Sequence, residues 1–327
     1  MYTVFLLAAL GVLLYLTELL FLNYATKKHI YDDPNDRSSH TQKTIRGGGI
    51  IFWFTSFTIF LWSPSYYWLF FAGMTLVSIV SFIDDIHHLG QWQRFISHFA
   101  GFTLMFFFLH FFAAHWYIIL ISYIVFIGVI NAWNFMDGIN GINGLYSLAV
   151  LGALQYVNIV VTHFADTLFI WAPMVACVVF LFFNFRKNAL CFGGDIGSIA
   201  IAFWIVALLL DLMIKTHNVI WLAFISVYGI DSVFTILHRL WLRQNIFKAH
   251  RLHFYQVMAN ECSIDHRLVS IIYAVTQLIC CAVIIAFWDK VNFWALTFAV
   301  HIPLGAVYMN KFLIFREKGI SNRRGTD

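Results

Sequence analysis

Eleven apolar runs, at about 3–23, 47–62, 66–83, 96–113, 115–131, 144–161, 167–184, 197–214, 217–235, 268–288 and 291–313, account for most of this 327-residue chain. Runs of roughly 17–25 apolar residues are long enough to cross a bilayer. Only 11% of the residues are charged while 61% are hydrophobic, too little charge to cover the surface of a soluble domain of this size. The pattern predicts an all-α polytopic membrane protein with about 10–11 transmembrane helices. It forms a single integral membrane domain over 1–314, and the Arg- and Gly-rich tail, 315–327, is expected to be disordered.

The distribution of charge gives a topology. The first run has no positive residue ahead of it and no small-residue cleavage site behind it. Lys27 and Lys28 follow it instead, which predicts a retained helix with its N-terminus outside. Loops after runs 1, 3, 5, 7 and 9, with the C-terminal tail and Lys311 at the inner end of the last run, hold 18 of the 20 Lys and Arg; Lys215 and Lys290 lie on the other side. Positive residues stay in the cytoplasm, so the odd-numbered loops belong there. The net charge of +4 then reflects topology and attraction to membrane lipids, and no nucleic acid partner is expected. The five cysteines contain no CxxC pair, so they suggest neither a disulfide framework nor a zinc site.

Carboxylates avoid the middle of the runs. Glu18 lies in the inner third of run 1, Asp211 near the outer end of run 8, and Asp231 a turn or two from the inner end of run 9. The other polar residues gather in five cytoplasmic clusters: DDPNDRSSHTQKTIRGGG (32–49), FIDDIHHLGQWQR (82–94), the stretch from Asn131 through NFMDGINGING (134–144), NFRKNALCFGGDIGS (184–198) and HRLWLRQNIFKAHRLHFYQ (238–256). Each begins or ends where a helix meets water on the same membrane face, so all five can converge on one interfacial pocket.

Read singly, each cluster is ambiguous. Asp84 and Asp85 read as a charged loop start, and adjacent carboxylates on a helix diverge by about a hundred degrees. At headgroup depth, however, such carboxylates suit a divalent cation. Asp195 in FGGDIGS could merely cap the following helix. Its flanking glycines also allow close backbone approach to a phosphate, and a metal between the two makes chemical sense. If their stretch is helical, His250 and His253 share a face with Arg251 between them, a pattern suited to phosphate or sugar better than to zinc. Asn131 and Asn134 lie at i and i+3, one turn before Asp137. Arg46 and Arg94 add two guanidinium groups on the same face.

Taken together and in order, DDPNDRSSH with RGGG, SFIDD, NAWNFMDGINGI, FGGDIGS and AHRLHFYQ closely resemble the polyprenyl-phosphate N-acetylhexosaminyl-1-phosphate transferases. The likeness is nearest to the bacterial branch that starts O-antigen (lipopolysaccharide) or capsule repeat units. The resemblance implies transfer of N-acetylhexosamine 1-phosphate from a UDP-sugar to undecaprenyl phosphate, releasing UMP, at the bacterial inner membrane. It implies Mg²⁺, with Mn²⁺ as the alternative, and a homodimer is an expectation to be tested. It casts Asp84 and Asp85 as catalytic, and Asp195 and Asp137 as metal ligands. Asn131, Asn134, Asp137, Asn140, His250, Arg251, His253, Lys43 and Arg94 then bind substrate. The chain departs from the family pattern at Asn140, where an aspartate is usual, and at Gly193, where Met is common. It also lacks the family's prolines at Lys43, Ile45, Lys187 and Asn188. The competing reading is a secondary transporter or flippase, which calls for ionisable residues and broken helices near the midplane.

Overall fold

In a computed structural model, residues 2–34, 42–87, 89–245 and 250–317 are described. The eleven apolar runs become helices, and the chain is an all-α membrane protein. They are α1 (Tyr2–Lys28), α2 (Ile50–Trp62), α3 (Pro64–His87), α4 (Gln91–Phe108), α5 (Trp116–Met136), α6 (Ile142–Val160), α7 (Thr167–Asn184), α8 (Gly194–Thr216), α9 (Ser226–Trp241), α11 (His266–Phe287) and α12 (Phe293–Glu317). The short α10 (Phe254–Gln256) precedes α11 and continues into one turn of π-helix, Val257–Glu261. α12 carries Phe315 and runs on to Glu317; residues 318–327 of the expected tail lie outside the described residues.

Eight helices among the described residues have the length and apolarity to cross a membrane by themselves. α2 does not: 13 residues reach only about 20 Å at 1.5 Å per residue, short of a hydrocarbon core of about 30 Å. Run 96–113 divides in a similar way, because α4 stops at Phe108 and His110 turns left-handed before a 3₁₀ turn over Phe111–Ala113. α9 is entered through a 3₁₀ segment, Val219–Ile225, whose first free amide is capped by Asn218.

α8 is the axis of the bundle. An 18-residue stretch of it is 89% buried, against 17% for α1 and 22% for α5, so its neighbours shield it from lipid. Several buried polar groups pair across helix boundaries, where no water is at hand to satisfy them. Tyr146 of α6 stacks on Tyr228 of α9 at 3.6 Å and donates to Gln277 of α11 at 2.5 Å. Trp133 of α5 donates to Ser147 of α6.

Two very short strands, β1 (Tyr31–Asp32) and β2 (Thr44–Ile45), pair antiparallel between α1 and α2. The chain from β2 onward then zips onto the segment before α8. Phe192 N donates to Ile45 O at 2.8 Å, Gly48 N to Phe192 O at 2.9 Å, and Gly49 N to Gly193 O at 3.0 Å. Glycine is required for this approach. A Cβ on Gly49 would lie 2.1 Å from the Cα of Gly197, far inside contact distance.

Candidate active site

The zipper carries Arg46 to the start of α8. Its Nε donates to Asp85 Oδ1 at 2.6 Å and its Nη2 to Asp195 Oδ1 at 2.9 Å, and Nη1 lies 3.6 Å from Asp32. Burial opposes the charge of this guanidinium, but Asp85 and Asp195 outweigh it and hold its pKa above the ordinary arginine value. Asp85, at the end of α3, also accepts the backbone amides of Asp195 at 2.8 Å and Ile196 at 3.1 Å. It therefore caps the N-terminus of α8, where free amides and the helix dipole favour a negative charge.

Asp84 diverges from its neighbour, as helical geometry dictates. It accepts the amide of Leu89 at 2.5 Å and pairs with Arg94 Nη1 at 3.3 Å. Arg94 Nη2 also stands 4.0 Å from Asp195 Oδ2. Two arginines and four carboxylates (Asp32, Asp84, Asp85 and Asp195) thus form one continuous charged layer at this end of the bundle. Both oxygens of Asp85 are engaged within it, so this residue frames the site.

Beside the layer is a cavity of about 220 Å³. Its walls come from the segments around β1 and β2 (Asp32, Arg46), the turn from α5 into α6 (Asn134, Asp137 to Asn140), the segment leading into α8 (Phe192 to Asp195), and Gln256 and His266. Asp137 follows the last residue of α5. Burial pushes its carboxyl up to about 7, with the Asn143 side chain partly offsetting the effect. Unlike Asp85 and Asp195, it has no ion pair among the described residues. Gly193 makes room for it, because a Cβ there would sit 2.9 Å from Asp137 Oδ2. A methionine at 193 would displace this carboxylate. Asn134 lies beside Asp195, and its buried Nδ2 makes no hydrogen bond of good geometry.

These groups fit a small, hard divalent cation. Asp137 and Asp195 supply carboxylate oxygens, and a buried carboxylate without a cationic partner is a cost that a cation would remove. No group of three or more His, Cys, Asp or Glu among the described residues could hold a metal alone. The remaining ligands would have to come from water and substrate phosphate, the usual situation for Mg²⁺.

Asn140 has another role as well. Its Nδ2 donates to Arg186 O at 2.8 Å and Lys187 O at 3.2 Å, and its carbonyl accepts from Ser270 Oγ at 2.9 Å. Both Nδ2 partners are carbonyl oxygens, so a donor is needed there. Aspartate would set a carboxylate against two acceptors. The asparagine at 140 thus clamps the loop after α7.

Other candidates lie apart from the cavity. Asn131 donates back to Ile127 O of its own helix at 2.7 Å. Lys43 forms an exposed pair with Asp33 at 2.8 Å. The histidine segment stands behind the wall that Gln256 contributes. His250 Nδ1 accepts from Leu252 N at 3.3 Å, and burial, with His253 next to it, pushes the His250 imidazole down to about 2. His253 packs against His250 with ring centres 4.9 Å apart, and Arg251 lies between them in sequence, half-buried. His253 Nδ1 is 3.2 Å from Asp231 Oδ1 in α9.

Arg46 is central to the cavity, and Asp231 holds the histidine segment; the sequence motifs give a role to neither. Arg46 was visible as the residue opening RGGG. Asp231 carried the signal that any carboxylate in an apolar helix carries, since such residues are rarely without function.

Residues 67–213 match the model of glycosyl transferase family 4. That interval includes Asp84, Asp85, Asn134, Asp137, Asn140 and Asp195, but neither Arg46 nor the histidine segment. No curated protein matches the chain.

Proposed function

We propose that this chain, whose residues 67–213 match the model of glycosyl transferase family 4, works as one of the polyprenyl-phosphate hexosamine-1-phosphate transferases that make up that family, and we propose the specific reaction it performs. The family's common chemistry is transfer of a sugar 1-phosphate to a polyprenyl phosphate. Our reading is that the donor is a UDP-N-acetylhexosamine and the acceptor undecaprenyl phosphate. The products are undecaprenyl-diphospho-N-acetylhexosamine and UMP, at the inner membrane of a bacterium, as the first step of a surface glycan.

A single observation carries this reading. Segments far apart in sequence close one cavity at the helix ends, lined by Arg46, Asp195 and the cation-free Asp137, with Arg94 4.0 Å from Asp195. An oxygen of the lipid phosphate bonds to the β-phosphorus of the donor. The bond from that phosphorus to the bridging oxygen breaks, and its electron pair leaves with UMP. Both reactants are anions, so the work is alignment and charge neutralisation.

Arg46 is held by two carboxylates, which fixes its position; Arg94 is free to share its charge between Asp84 and an incoming phosphate. Asp137 and Asp195 would hold Mg²⁺, which when bound supplies positive charge to the diphosphate. Asp85 keeps the start of α8 and Arg46 in register. Asp84, paired with Arg94, is the carboxylate we assign to the lipid phosphate.

The test is turnover by purified protein with undecaprenyl phosphate, Mg²⁺ and a panel of UDP-sugars, with lipid product and UMP measured together. Equal amounts of both are expected from a UDP-N-acetylhexosamine. Asp195→Asn should lower the rate at least a hundred-fold. No turnover on any UDP-N-acetylhexosamine would sink the assignment, and movement of label into vesicles without UMP would favour transport.

A further inference from the structure

Asp231 is buried in α9, within a span long and apolar enough to cross the membrane. Its carboxylate is the hub of a hydrogen-bond network. Oδ1 accepts Phe254 N at 2.9 Å and Thr235 Oγ1 at 3.3 Å, and Oδ2 accepts Tyr255 N at 3.3 Å and Tyr273 OH at 2.6 Å. The amide bonds cap α10, a structural duty that many polar residues perform. The contact with His253 Nδ1 at 3.2 Å is different in kind.

A carboxylate only accepts, so Nδ1 of His253 must carry the hydrogen. The ring is thereby fixed in tautomer and orientation, and its other nitrogen points where Asp231 aims it. That nitrogen, Nε2, is buried and has no hydrogen-bond partner. A buried imidazole nitrogen left open is a cost, and a ligand group completing it removes that cost. The ring does not line the cavity itself but is tied to residues that do. His253 N donates to Oε1 of Gln256, which lines the cavity, and Tyr255 OH donates to Phe135 O beside the lining residue Gly138.

We propose that Asp231 is a positioning residue for the transfer reaction: acting through His253, it fixes Nε2 for one hydrogen bond to the sugar phosphate of the donor. This rests on the reaction proposed above. Orientation of an imidazole by a buried carboxylate is a recurrent way to keep a single productive geometry.

A double-mutant cycle tests it in the full-length protein, once wild-type turnover on a UDP-sugar is in hand. Asp231→Asn, His253→Gln and the pair are compared by kcat, KM for the UDP-sugar, and melting temperature. Asp231→Asn is expected to lower kcat/KM by roughly ten- to a hundred-fold, with His253→Gln at least as damaging. The double variant should be no worse than His253→Gln alone, because residues that act as a unit are not additive.

Losses that multiply, or an Asp231→Asn within two-fold of wild type, overturn the proposal. Tyr273→Phe removes another bond to the same carboxylate and separates a structural role from a positioning one. It should lower the melting temperature and leave kcat/KM near wild type; a loss equal to that of Asp231→Asn overturns the proposal. If the Asn variant does not fold, Asp231→Glu replaces it, and must lower kcat/KM with His253 present but not in the His253→Gln background. Absence of wild-type turnover on every donor defeats the transfer reading itself, whereas turnover with multiplying losses defeats this inference alone.

Discussion

Asp137 sits where a charge is expensive, and this has a consequence for stability. Its carboxyl is raised from 3.8 to about 7 by burial, so the folded protein retains a proton that the unfolded chain gives up. Stability therefore falls as pH rises between those two values, because over that window the native state binds more protons. Asp137→Asn abolishes the loss. In divalent-free buffer at pH 8 the variant should be the more stable protein, by on the order of 1–3 kcal/mol given about 1.4 kcal/mol per pKa unit. The advantage should shrink at pH 5. Melting curves at the two pH values check this, and a variant less stable than wild type at pH 8 would refute it. The sequence showed that Asp137 belonged to the site. It could not show that Asp85 would find a cation and Asp137 would not, because that depends on where Arg46, 39 residues before Asp85, comes to rest.

Helices were the most legible elements, because hydropathy reports directly on what can be buried in lipid. Their ends were less so. The shortening of α2 and the early stop of α4 arise from turns at Gly47–Gly49 and His110, which apolar composition conceals. The strand-like zipper was invisible, since residues 45–49 and 191–193 carry no alternating pattern. Yet this element sets the position of Arg46. Gly49→Ala should disrupt it: the added carbon meets backbone atoms of Gly197 and Gly193 at 2.1–2.8 Å, and overpacking of this kind costs about 1–3 kcal/mol. Gly128→Ala is the control, since nothing lies within 4 Å of a Cβ there. Thermal melts should show a clear loss for the first and little change for the second. Equal behaviour would mean that the zipper is not tightly closed.

At the scale of the whole molecule, charge bias anticipated that the five clusters share a face, and the cavity joins segments that precede α2, follow α5 and precede α8. Which compartment that face meets is open to a direct test using a native side chain. Cys262, next to the π-turn after α10, is partly exposed, whereas Cys177, Cys191, Cys280 and Cys281 are buried. A membrane-impermeant maleimide should label inside-out vesicles and spare right-side-out ones. The reverse pattern would invert the topology. What the chain could not disclose was the pairing of its parts, since apolar helices in lipid are chosen as neighbours by shape and by a few polar contacts.

The bridge made by Arg46 spans 149 residues of chain to Asp195. A ribosome that has delivered α1 through α7 to the membrane has already made Arg46, Asp84, Asp85 and Asp137, but not the glycine turn or the helix start that draw them together. The half-built protein therefore holds the reactive groups of its cavity without the cavity. The cavity closes late in synthesis, after the first loop has met residue 195 and Gln256 and His266 have completed the wall.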